Sequence, residues 1–468
     1  MTAVLTNALK RQILNDIYTN VADSAGAGNY YIGIGRAQQW DDTDTPVVPV
    51  NSLREERNMR LGLQSIKQAE SVSYVVPRNN WSSSSIYDAY DDNVSGYPTR
   101  PYYVLTENSR VYICLQQGRN TAGVAVPSTV KPNTVTSKSF KLADGYVWKF
   151  LYTLTAGNTD KYISSSFMPV EVLDGGPSWD SAGNPLRSGW VAATIAQKLI
   201  QDSAVVGQIA SLTLTNGGSG YTSVPTVTIS GDGDSATATA IISGSSVVDI
   251  QLDSNVAGQL GLRHGSGFNK AAVTISGGGG TLATARANIS PALGFGADPT
   301  ADLRATALMF NTKPAGTESG KFLVGQDFRQ VALIKNPKVT GTTDSDYTVA
   351  SGLALTKMNF IGAAATTAFT ADKTILGATS GAKAYVSTFN ATDSDYIYYH
   401  QDETTGFGVF TDSEGITEVD GDGAGTADSA TVPLDINKLT GDILYVENRA
   451  AIDRSSSQTE DIKVIIQI

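Results

Sequence analysis

Two acidic glycine turns are where this chain could bind a hard cation: Asp232 and Asp234 in GDGD, and Asp420 and Asp422 in VDGDGAGTAD. Such ions favour several carboxylate oxygens gathered on one tight loop. The second turn departs from EF-hand spacing, with Ala424 at its fifth position and Thr431 at its twelfth. Asp-Gly pairs also suit type I′ hairpin turns, so neither turn is assigned a metal. The two histidines, His264 and His400, lie in different segments, whereas a metal centre or an imidazole relay needs a convergent set. The single cysteine, Cys114, sits in the apolar run VYICL and reads as a small buried hydrophobe. The GIG at 33–35 begins a dinucleotide fingerprint, but the third glycine would fall at Gln38, and no phosphate-loop GxxxxGK(S/T) run exists. Glycoside hydrolysis needs only two carboxylates on a rigid scaffold, and no pair among the 45 acidic residues stands out. The sequence therefore nominates no catalytic, cofactor-binding or metal-binding residue and no cofactor, and the expectation is a protein that is not an enzyme.

A chain of 468 residues is longer than one core requires, which implies two to four domains. Apolar content of 41% and charge of 17% are those of a globular protein, and the 46 glycines favour short strands and tight turns over long helices. A net charge of −11 speaks against binding a phosphate backbone, so nucleic acid is not an expected partner. The chain carries neither a basic segment followed by an apolar run nor an apolar stretch approaching the roughly 20 residues of a membrane span. The expectation is a soluble protein made in the cytoplasm, with no membrane partner.

The elements that must position these residues begin with a helix. Leu5, Leu9, Ile13, Ile17 and Val21 recur every four residues, with Leu14 and Tyr18 widening the stripe, and SAGAG at 24–28 stops it. That stripe is expected to pack on a sheet or on a partner. NYYIGIGR then alternates as a strand, and Trp40 and DDTDTPVVPV form an acidic, proline-bearing loop. Residues 53–70 read as a charged stretch of helical texture, RLGLQSIKQAE being the most regular part. From 72 to about 172 the runs YVVPR, RPYYVLTE, RVYICLQ and GYVWKFLYTL read as strands of one β-rich unit. Its aromatics, among them Trp81, Tyr87, Tyr90, Tyr102, Tyr146 and Trp148, suit either a sugar platform or core and interface anchors. Many sit inside apolar strand patterns, which favours the anchors.

Between 207 and 290 the composition shifts to Gly, Ser, Thr, Ala and Val, and an internal repeat appears. SGYTSVPTVTISGDGDSATATA at 219–240 returns as SGFNKAAVTISGGGGTLATARA at 266–287. The pair is expected to form one small pseudo-symmetric β domain, since two copies bury a face that one cannot. A second island at 361–433 reads as a meander of hairpins, with TSGAKA as a turn and Tyr396, Tyr398 and His400 alternating along a strand. The organisation is thus a core of 1–206, 291–360 and 434–468 interrupted by two β inserts at loop tips, and the fold class is mainly β.

Five blocks in order carry a resemblance: residues 33–36 with Trp40, VVPRNNW at 75–81, DGYVWKFLY at 144–152, DFRQVALIKNP at 327–337, and GDILYVENRAAI at 441–452, followed by QTEDIKVIIQI as a closing hairpin. Together they resemble the small baseplate wedge subunit of T-even-like contractile-tailed bacteriophages. The resemblance implies a multi-domain β-sandwich core, a homodimer within each wedge, contacts with other wedge proteins, and a place in the virion tail baseplate after assembly in the host cytoplasm; from composition and position, the two inserts are expected to make lateral contacts between wedges or with tail fibre components. It implies work by binding, with rigid-body shifts when the tail contracts. The two inserts depart from the family's shorter member. Two alternatives stand beside it: a carbohydrate- or receptor-binding tail fibre module, suggested by the aromatic β segments and the repeat, and a glycan depolymerase.

Overall fold

Valine, isoleucine and aromatic side chains at alternating positions, stopped by Gly, Pro and Asn, give strands whose two faces differ in polarity. The computed structural model, which describes residues 4–22, 29–173, 192–254, 261–324, 327–363, 365–391, 395–432 and 435–468, shows a mainly β chain, 41% strand and 12% helix, with many antiparallel sheets. The SAGAG run and Leu434, where the core was expected to resume, lie outside the described residues. The chain divides into two compact units, one of Met1–Leu14, Ser73–Leu308 and Gln467–Ile468, the other of Asn15–Val72 and Met309–Ile466.

In the first unit the strands Tyr103–Leu105, Arg110–Gln116, Val147–Thr153 and Phe140–Lys141 form a four-stranded antiparallel sheet in that order. Cys114 lies opposite Trp148. The rings of Tyr87, Tyr112, Phe140, Tyr146, Trp148 and Phe150 form its core together with Ile200 of the helix Ala192–Asp202.

The repeated segment belongs to this unit and pairs with itself. Strands Thr226–Gly231 and Ala271–Ser276, each carrying one copy of Val-Thr-Ile-Ser, run antiparallel with Thr228 opposite Thr274, so a local two-fold axis passes between these threonines. Strands Ala238–Ser243 and Ser246–Leu252 complete that sheet, and Ile209–Ser219 pairs with Thr281–Ile289 along a ribbon.

In the second unit a five-stranded sheet has the order Ser351–Leu353, Leu63–Gln68, Tyr30–Gly35, Asp327–Lys335, Asp442–Asp453. Three separated sequence blocks are thereby neighbours: Tyr31 pairs with Ile334, and Leu333 with Tyr445. Met59, Leu63, Ile66, Tyr31, Ala332 and Ile334 pack over one face. The acidic loop is tied down by Asp44, whose carboxylate accepts from Arg329 Nε at 2.7 Å.

Two expectations are corrected here. The stretch 53–70 is helical only over Leu53–Gly62 (α2, capped by Ser52), and the residues that looked most regularly helical continue as the strand Leu63–Gln68. That segment lies between Tyr30–Gly35 and Ser351–Leu353, and paired edges on both sides outweigh local propensity. The last two strands do not form a hairpin with each other: Asp442–Asp453 pairs with Asp327–Lys335, and Ile462–Gln467 joins Ala307–Thr312 in another sheet.

In the second Gly-rich island consecutive strands pair as hairpins, and Thr356–Phe360 closes them into a barrel. Its order is Thr356–Phe360, Tyr396–His400, Lys383–Asn390, Thr374–Gly377, Gly415–Glu418 and Ala424–Val432, the last pairing back to the first. Ile397 and Tyr399 point into the barrel core with Phe360, Phe369, Ile375 and Ile416, while Tyr396, Tyr398 and His400 take the outer face.

Candidate functional sites

Each histidine is a buried crosslink from an insert to the flanking chain. His264 starts the short strand His264–Ser266; its Nδ1 lies 2.7 Å from the Ile209 carbonyl and its Nε2 2.7 Å from Ser139 Oγ. A carbonyl only accepts, so Nδ1 carries the proton and Nε2 accepts from the serine hydroxyl. The constellation has the bonding of a serine–base dyad, yet Ser139 and His264 are 4% and 6% exposed, which denies a substrate access. Burial also pushes the imidazole down to about 4, too low for a general base near neutrality. His400 is bonded in the same way: Nδ1 is 2.9 Å from Ser387 Oγ, and Nε2 accepts from the Gln38 side-chain amide. Burial holds it down at about 3. Gln38, the residue that broke the glycine fingerprint, is thus a partner of His400. The fingerprint glycines serve packing: a Cβ on Gly33 would stand 2.7 Å from Leu63 Cδ1, and one on Gly35 2.7 Å from the Gly62 carbonyl oxygen.

The acidic turns use their carboxylates locally. Asp232 Oδ1 accepts from the backbone N–H of Asn269 (2.9 Å) and of Lys270 (3.1 Å), joining one repeat copy to the other, and these bonds hold its carboxyl below the usual range. Asp234 pairs in register with Ser266. Around Asp420 and Asp422 the organising group is Glu418, which accepts from Gly423 N and Thr370 N. Among the described residues no group of three or more His, Cys, Asp and Glu is placed to hold a metal ion. Cys114 is fully buried, its thiol pushed well above the ordinary range by burial.

Several groups had no signal in the sequence. Asp302 is fully buried; its Oδ2 accepts from Gly296 N at 2.8 Å, its Oδ1 has no partner among the described residues, and burial raises the carboxyl to about 8. Lys149 lies buried nearby, its Nζ donating to the Ser137 carbonyl at 2.6 Å, and burial lowers it to about 8. A lysine between Trp148 and Phe150 was the only hint of either. Arg304 stacks over Tyr102 and Tyr90, 4.8 and 5.3 Å from the ring centres, and Tyr102 is buried. Those two rings form one wall of a cavity of about 300 Å³ in the first unit, whose polar lining includes Asp88, Gln116, Gln117 and Asp249. The Gln116 amide Nε2 is buried without a hydrogen-bond partner among the described residues.

Several apolar side chains are exposed. Helix α1, Asn7–Ala22, starts after Leu5 and buries Leu14, yet Leu9 and Ile13 of its stripe are 46% and 40% exposed, and Leu5 ahead of it is 58% exposed. In the second unit Val47, Val48, Val50 and Leu444 are also exposed, beside the sheet-edge strand Asp442–Asp453. No described helix is long and apolar enough to cross a membrane. No protein-family model matches the chain, and no curated protein matches it.

Proposed function

We propose that this chain is a structural subunit of a contractile-tail baseplate, a homodimeric wedge protein that works through protein–protein contacts. The observation that carries this reading is the uncovered stripe of α1. Leu9 and Ile13, at i and i+4, lie on one helix face in contact with water, with Leu5 exposed just ahead of the helix, and such a face is stabilised by roughly 25 cal/mol for each Å² it buries against a partner. The order of the five sequence blocks that resemble the wedge family supports the same reading. So does the edge strand Asp442–Asp453, since an open edge with apolar neighbours offers backbone pairing to another chain. Acidic charge keeps the free subunits apart, and complementary patches select the correct neighbour.

The test is co-expression with the other wedge and tail proteins of a contractile-tailed phage, followed by sizing of the purified species. A dimer that enters a hetero-complex supports the proposal; a monomer indifferent to every tail protein overturns it. A second reading, a carbohydrate-binding tail module, is favoured by the cavity at Gln116, where an unpaired amide and carboxylates stand beside tyrosines. Saturable binding on a glycan array, lost in Gln116→Leu, would favour it over the first.

A further inference from the structure

Within the second unit a cavity of about 480 Å³ opens between α2, the barrel strand Tyr396–His400 and Lys438, a volume within the range of small-molecule clefts. Leu61, Phe407 and Leu439 give it apolar walls, and Phe407 and Leu439 are 58% and 66% exposed at its mouth. Two cations reach it. The Lys438 ammonium donates one hydrogen bond, to the Leu61 carbonyl at 3.0 Å, and no described carboxylate lies within ion-pair distance of it. Among the described residues, Arg57 bonds only to the Leu53 carbonyl. The one acid in the lining, Glu403, is engaged by Arg54 at 2.8 Å. Tyr399 packs in the barrel core and also lines the cavity, and its hydroxyl bonds to no described residue.

In a chain of net charge −11, an apolar cavity with two unneutralised cations and a free phenol donor is a marked inversion. A buried ammonium with a single backbone acceptor is costly unless an anion completes its shell. We propose that this cavity binds a small apolar carboxylate, the hydrocarbon lying against Leu61, Phe407 and Leu439 and the carboxylate oxygens accepting from Lys438 Nζ and Tyr399 Oη. Burial lowers the Lys438 amine to about 8, and a bound carboxylate would favour its charged form and raise that value again. The inference goes beyond the assembly role and stands whether or not that role holds.

The experiment is calorimetric titration of the full chain with dodecanoate, dodecanol and dodecyltrimethylammonium below their aggregation concentrations. The expected result is saturable one-to-one binding of dodecanoate, about tenfold or more tighter than either control, as charge-assisted hydrogen bonds predict. Lys438→Met keeps the cavity filled and is expected to bring dodecanoate down to the affinity of dodecanol; Tyr399→Phe is expected to weaken it severalfold. Equal affinity for all three compounds, no saturable binding, or an unchanged preference in a folded Lys438→Met would overturn the proposal. The comparison among compounds on the unaltered chain stands even if the variant does not fold.

Discussion

Gly280 lies flat against the ring of Tyr221: a Cβ built on the glycine would stand 2.4 Å from Tyr221 Cγ. The relation is reciprocal, because a Cβ on Gly233 would stand 2.5 Å from Phe268 Cγ, and both rings are buried. Each repeat copy thus supplies the aromatic that covers the other's glycine, on either side of the axis between Thr228 and Thr274. Neither copy can close its core alone. Gly280→Ala and Gly233→Ala are each expected to destabilise the first unit by about 1–3 kcal/mol through overpacking. Urea unfolding followed by far-UV circular dichroism measures it, and a change under a few tenths of a kcal/mol would contradict the interlock.

The stripe of α1 predicts a self-association that depends on it. Leu9→Asp combined with Ile13→Asp is expected to weaken the dimer by about a hundredfold or more, since each charge must be desolvated at the contact. Both residues are exposed, so thermal stability of the subunit is expected to change little. Sedimentation equilibrium of the two proteins decides it; an unaltered association constant would place the dimer contact elsewhere.

Acid is expected to loosen the His264 crosslink. The folded value near 4 lies below the 6.5 of an unperturbed imidazole, so as pH falls the unfolded chain takes up the proton first. The contribution of His264 is therefore fully present above pH 6.5 and declines toward pH 4, by about 3 kcal/mol in total. His400, with its value near 3, acts in the same direction in the other unit. His264→Gln keeps a donor for the Ile209 carbonyl and an acceptor for Ser139. Its unfolding free energy is expected to fall less steeply between pH 6.5 and 4 than that of the parent; parallel slopes would count against the assignment.

Glu414 clasps the barrel turn at TSGAKA. Its carboxylate accepts from Thr379 N and Ser380 N at 2.9 Å, Ser380 Oγ at 2.8 Å and Thr411 N at 2.6 Å. Burial opposes ionisation, but these bonds outweigh it and draw the carboxyl down to about 2. Glu414→Gln turns an amide N–H toward backbone donors and is expected to cost about 2–3 kcal/mol. Hydrogen exchange of the Thr379 and Ser380 amides reads this directly, and unchanged protection would refute it.

Asp232 separates a structural turn from a calcium turn. Its bonds to Asn269 N and Lys270 N predict that Asp232→Ala lowers the unfolding midpoint of the first unit in urea. Millimolar calcium is expected to leave the melting temperature of the parent unchanged. A calcium-dependent rise that disappears in the variant would restore the metal reading.

What the sequence determined by itself was local. The fourfold spacing of Leu5, Leu9 and Ile13, the alternation in NYYIGIG and the recurrence of Val-Thr-Ile-Ser are written in neighbouring residues, because helix and strand impose periods on side-chain direction. Only tertiary structure decided partners. LQSIKQ became a strand because edges from residues 30–35 and 351–353 flank it, and the final strand joined Ala307–Thr312 rather than the block just before it. The same holds for the polar groups: His264 meets Ser139, His400 meets Gln38, and Asp302 loses water to surfaces far away in the chain. Such pairings depend on desolvation and non-local contact, which no spacing along the chain encodes.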